Sequence, residues 1–160
     1  MMNMAKKYWL FKSEADVFSV DDLAKSENQT TYWDGVRNYQ ARNFIRDEMK
    51  NGDQVLYYHS NSDPNAVVGI CEIVREAYPD FTQFDPASDY FDPSSKAENP
   101  AWLMVDIRLI RKLKRPVALQ EIKENPALAQ NKLVMRGNRL SVFPVTKEDF
   151  DEIIRMSETK

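Results

Sequence analysis

Cysteine, glycine and histidine are scarce in this chain, and long apolar runs are missing. Cys71 is the single cysteine in 160 residues. It excludes an internal disulfide and fits a reducing compartment, so a cytoplasmic location is expected. With four glycines the chain has no Gly-rich phosphate loop, and no nucleophile elbow occurs. His59 is the sole histidine, so no histidine pair stands at metal spacing. No apolar stretch approaches the ~18 residues that span a bilayer, and Met1 to Lys7 has no apolar signal segment. These absences remove the common enzyme motifs. No catalytic residue, cofactor, metal or membrane partner is expected.

Hydrophobic residues make up 42% and charged residues 29% of the chain, enough for a single globular domain over 1–160. The net charge of -3 does not announce a polyanionic partner. Its distribution is less neutral. Residues 75–99 are acidic, whereas three basic groups stand apart: Arg37, Arg42 and Arg46; Arg108, Arg111, Lys112, Lys114 and Arg115; and Arg136 with Arg139. Each could be a solvated face. Folded together they would make a footprint for phosphates.

Residues 7–11 read as a buried strand, and Ser19 with Asp22 forms a capping box for a short helix. A short strand is expected at 31–33. Ala41, Phe44, Ile45 and Met49 set a helix over 38–49, with Gly52 as its stop. Strands are expected at 54–60, 66–74 and 102–110, and a long ordered loop at 78–100. Pro116 is expected to start a weak helix through Ile122, Asn125-Pro126 another short one, and 140–145 a last strand. Thr146 with Asp149 caps a closing helix that turns Phe150, Ile153 and Ile154 inward. Strands outnumber helices and follow one another as hairpin-like neighbours. This is α+β, mainly antiparallel, with a curved sheet or small barrel and peripheral helices.

Two segments are dense in base-reading residues. Trp33 to Arg42 (WDGVRNYQAR) combines an aromatic plate, a carboxylate, an asparagine and two arginines, and Tyr57 to Asn61 (YYHSN) adds rings and small polar groups. Stacking on a ring is worth about 1–3 kcal/mol per base, and polar partners supply selectivity. Trp33 as plain core and an inward Tyr57 or Tyr58 are the competing readings. For His59, a hydrogen-bonded strand histidine competes with a catalytic one.

Tyr8 to Glu14 (YWLFKSE), Phe18 to Leu23 (FSVDDL), the WDGVRNYQAR run, Tyr58 to Asn61, Val74 to Asp80 (VREAYPD), Trp102 to Asp106 (WLMVD) and Leu140 to Val145 (LSVFPV) together resemble the EVE domain family, which includes the thymocyte nuclear protein group. The resemblance runs from about Lys7 to Met156. Ala15 stands where the family commonly has proline. The resemblance implies a PUA-like small β pseudo-barrel, related to the YTH readers of methylated adenine in RNA. It implies binding of a modified base, with 5-methylcytosine or its oxidised forms in DNA as leading candidates, and does not imply catalysis.

The expected pocket is floored by Trp33, with Tyr58 or Tyr39 closing the other side. Ser13, Asp34, Asn38 and Ser60 face the polar edge of the base, with Val36 and His59 beside them. Lys12, Arg37, Arg42, Arg136 and Arg139 are expected on flanking phosphates, which set register without reading sequence. The partner is then modified DNA or RNA, and the chain is expected as a monomer. Three rival functions stay open. One is a module for modified tRNA or rRNA. Another is an enzyme using His59 with Glu14 or Asp34. The last is a protein-interaction domain presenting the 78–100 loop.

Overall fold

Runs of three and four consecutive buried residues, Trp9–Phe11 and Val55–Tyr58, mark two strands whose faces are both covered. The computed structural model describes residues 6–159. In it β1 (Tyr8–Glu14) pairs in parallel with β3 (Gln54–Ser60). Parallel strands need cover on both faces, which explains their unbroken apolar runs. The crossover between them carries α1 (Val20–Lys25), β2 (Thr30–Tyr32) and α2 (Tyr39–Asp47). β4 (Ala66–Pro79) and β5 (Leu103–Ala118) continue the sheet antiparallel, and α3 (Leu119–Glu124), β6 (Val142–Val145) and α4 (Lys147–Ser157) complete the chain. The strand order is β2-β5-β4-β3-β1-β6, with β1–β3 the one parallel pairing among the described residues.

The sheet curls strongly. β2 and β1 are four strand steps apart in that order, about 19 Å on a flat sheet. Yet the ring of Trp33, which follows β2, lies 5.2 Å from Phe11 on β1 and 5.5 Å from Tyr57 on β3. Only a sheet rolled toward closure brings these side chains together, and the two edge strands leave it a pseudo-barrel. One contiguous cluster of buried residues fills it, from Trp9 to Met156.

Local structure follows the sequence closely at the caps. Ser19 and Asp22 make a reciprocal capping box on α1, and Thr146 Oγ1 accepts from the Asp149 amide at α4. The Asp149 carboxylate turns away to Asn131, so that second box is half formed. Two expectations change. β4 and β5 are longer than the sequence indicates, running to Pro79 and Ala118, and no helix starts at Pro116. Between the Gly69–Lys112 and Val67–Val117 pairs the ladder shifts register. Pro116 falls in that bulge, where its missing N–H leaves no ladder bond broken.

Candidate functional site

A cleft of about 570 Å³ opens where the end of β1, the turn after it, the β2–α2 connection and the residues before β6 converge. Such a volume suits a small organic ligand. Trp33 and Val36 supply buried apolar wall, and Asp34 lies between them on the same connection. Lys12, Ser13 and Glu14 come from β1, Ser60 and Asn61 from the end of β3. Parallel pairing sets Ser13 beside His59 and Glu14 beside Ser60, so these polar groups gather at one end of both strands. Arg139, Leu140 and Ser141 close a further side. The Lys12 amide donates to the Ser141 carbonyl at 2.9 Å and fixes that side to β1.

Trp33 is 8% exposed. Its ring packs on Phe11 and Tyr57, and the residue still lines the cleft. It is core and wall at once. Burial and the neighbouring Asp80 charge raise the Asp34 carboxyl above its ordinary value, against a bond from its own amide and the Arg37 charge. Among the described residues no other side chain donates to Asp34. Burial lowers the Lys12 ammonium below its usual range; it lies 5.6 Å from the Phe143 ring. Ser13 Oγ donates to the Phe18 carbonyl at 3.0 Å, as does Tyr57 Oη at 2.6 Å, and together they pin the turn at one lip. Asn61 Nδ2 donates to Glu14 Oε1 at 2.6 Å.

Several expected site residues lie elsewhere. Tyr39 is 60% exposed outside the cleft, with its ring stacked 4.7 Å from Trp102. Tyr58 alternates with Tyr57 and is buried away from the cleft; its phenol is pushed up to about 12 by burial. His59 Nε2 accepts the Val20 amide at 3.1 Å, so it fastens the start of α1 to β3. Asn38 caps α2 through the Ala41 amide at 3.0 Å.

Arg37 is the largest displacement from the expected phosphate role. It pairs with the fully buried Asp80 at 3.0 Å and donates to Thr82 Oγ1, the Val36 carbonyl and the Tyr90 carbonyl. The Arg42 fork reaches the Ala101 carbonyl at 2.7 Å and Asn43, over the Tyr39 ring. Both guanidinium groups strap the 80–102 segment to the body. Arg136 and Arg139 are exposed and flank Gly137, and Arg139 lines the cleft.

Val17, Phe18, Tyr90 and Leu140 line the cleft without having been picked as site residues from sequence, while Glu14 entered only the rival enzyme reading and Asn61 only the polar end of the second base-reading segment. For Tyr90 the signal was there, in the aromatics of the 78–100 loop. Its ring lies against Gly35, where a Cβ would come within 2.6 Å. Gly35 also has φ +83°, so glycine is required there twice over.

Residues 7–156 match the EVE domain family. Thymocyte nuclear protein 1 of Gallus gallus is 46% identical over 169 residues, covering 96% of this chain and 69% of that protein. The crystal structure of human THYN1 protein in complex with 5-methylcytosine-containing DNA has a TM-score of 0.92 to this fold. It is 42% identical, covering 97% of this chain and 99% of that one. A hypothetical protein from Leishmania major has a TM-score of 0.88 at 45% identity, covering 96% of each chain. The matched range holds every cleft residue, from Lys12 to Ser141, and the α+β sheet is the EVE/PUA-like fold: this chain belongs to the EVE domain family.

Proposed function

We propose that the cleft takes one modified base of a nucleic acid, extruded from its stack, and that the chain binds it without catalysing a reaction. 5-Methylcytosine or an oxidised derivative in DNA is the ligand the reading favours. The observation that carries it is the joint placement of Trp33 and Asp34 on one wall: an indole ring for the face of a heterocycle, and beside it a carboxylate that no side chain among the described residues satisfies. A half-buried carboxylate accepts from the exocyclic amine of cytosine and offers nothing to a carbonyl at that position. Extrusion costs a few kcal/mol, which ring contacts and charge-assisted bonds must return. The human relative crystallised with 5-methylcytosine DNA supports the same class of ligand.

The groups best suited to catalysis are engaged in structure. His59 holds Val20, Cys71 is buried with its thiol pushed up by burial, and Glu14 is bonded to Asn61. The relatives are named nuclear proteins. The nucleus and cytosol are both reducing, so a lone cysteine does not separate them.

Titration calorimetry with oligonucleotides carrying one 5-methylcytosine, cytosine, thymine or abasic position tests the reading. Burying a methyl group is worth about 1 kcal/mol, so wild type should prefer methylated over plain cytosine by roughly five-fold. Asp34→Asn should lose about ten-fold or more on methylcytosine, as a hydrogen bond to a charged group is worth ~1.5–3 kcal/mol. Equal wild-type affinity for the abasic strand would overturn the proposal. Matched RNA strands in competition assign the sugar.

A further inference from the structure

The 80–92 segment inverts the usual distribution of side chains. Its polar residues Asp80 and Gln83 are fully buried, whereas Phe81, Phe84, Tyr90 and Phe91 are 37–51% exposed. A buried polar group and an exposed apolar patch are the two departures from ordinary burial that call for a reason. The buried network is complete. Asp80 accepts from the Gly35 amide, Arg37 and Thr82, while Gln83 Nε2 donates to the Asp80 and Trp102 carbonyls and its Oε1 accepts from Ser95 and the Trp102 amide. This fixes the backbone rigidly, and what the rigid backbone displays is rings.

Those rings continue the cleft. Tyr32 and Tyr90 line it, and Phe81 packs edge-on against Tyr32 with centroids 4.9 Å apart. From this geometry we infer that the Tyr32–Phe81 pair is a stacking platform for the unpaired base next to the one in the cleft, so that the ligand is a single-stranded or locally unwound nucleic acid. The inference rests on the base-binding reading of the cleft. Rings held in place lose little freedom on stacking, and a base paired in a duplex has no free face to offer them. Asp85 and Asp89 on the same segment repel phosphates, so attraction here falls to the rings alone. The strand backbone then runs on the opposite lip, past Lys12 and Arg139.

The test uses the full chain and a nine-nucleotide DNA strand with one central 5-methylcytosine. It is run as such, with abasic nucleotides flanking the methylcytosine, and as a duplex. Wild type should bind the intact strand about ten-fold more tightly than the flank-abasic strand, in the range seen for stacked bases. It should bind the duplex more weakly than the intact strand. Phe81→Ala should lose that ten-fold on the intact strand and nothing on the flank-abasic one, with its thermal midpoint unchanged. The loss should be the same at low and high salt, unlike that of Arg139→Ala. Phe81→Leu keeps an apolar side chain without a flat face and should behave as Phe81→Ala. If Phe81→Leu binds as wild type, or the flanking bases make no difference, the platform is overturned and the patch fits a protein partner instead. Failure of the base-binding reading is separately visible in a fourth strand with an abasic central position, which wild type then binds as tightly as the intact one.

Discussion

His59 shows how one side chain trades chemistry for structure. Its Nε2 accepts the Val20 amide, which requires the neutral ring. Burial lowers its pKa below 6.5, partly opposed by the Asp21 charge. The unfolded chain therefore binds the proton more readily than the folded one. Stability from this group is complete above the unfolded value and is lost as pH falls from about 6.5 toward the lower folded value. The thermal midpoint should drop between pH 7 and pH 5 in wild type. His59→Gln, whose amide oxygen can accept the same bond without titrating, should flatten that drop; an identical profile in both proteins would exclude His59 as the source. The histidine's bonded state was a reading the sequence allowed, because no nucleophile or orienting carboxylate stood near it. Arg37 was not legible in this way. Asp80, 43 positions later, is brought to it by the fold.

The 80–102 segment depends on that pair as an element. Asp80 is fully buried, and burial alone would raise its pKa. Bonds from Thr82, Arg37 and the Gly35 amide reverse the direction and hold it below the ordinary carboxylate range. Asp80→Ala would orphan the Gly35 amide and take away the carboxylate paired with Arg37, which is partly exposed and keeps its bonds to Thr82 and to the Val36 and Tyr90 carbonyls. Removing one partner of a buried pair costs about 3–5 kcal/mol, and with one partner open to water the loss should fall toward the lower end, still a large part of a domain's stability. Urea unfolding should show that loss, and limited proteolysis should cut first within 80–102. If the segment stays protected, Gln83 and Trp102 hold it without Asp80. The elements themselves were legible where the code is local: Ser19 and Asp22 at α1, the helical spacing of Ala41 and Ile45 in α2, and the alternation of Val105, Ile107 and Leu109 in β5. The run of β5 through Pro116 was not legible, since it is set by pairing to β4 across a bulge. Trp33, Asp34, Ser13 and Ser60, chosen for their ring and polar groups, do come to line one cleft. Tyr39 and Tyr58 were not separable from true lining residues until the curl of the sheet decided which faces meet.

At the scale of the molecule, charge sorts the three basic groups that looked equivalent in sequence. Arg108 pairs with Glu72, Lys112 with Asp21, Lys114 with Glu158 and Arg115 with Glu121. Arg37 and Arg46 pair with Asp80 and Asp47. Arg42, Arg111, Arg136 and Arg139 enter no ion pair among the described residues, and of these Arg139 lines the cleft, together with Lys12. A chain of net charge -3 can thus hold a polyanion through a few unpaired cations at one mouth. Each phosphate neutralised on a single strand contributes roughly -0.7 to the slope of log K against log salt. Two contacts from Lys12 and Arg139, which both line the cleft, give about -1.4, and Arg139→Ala should shallow it by roughly 0.7. Arg108→Ala changes the net charge by the same amount and should leave the slope alone, because its cation already answers Glu72. Equal effects of the two variants would mean that the strand senses the protein's overall charge, and the phosphate track past the cleft would have to be given up.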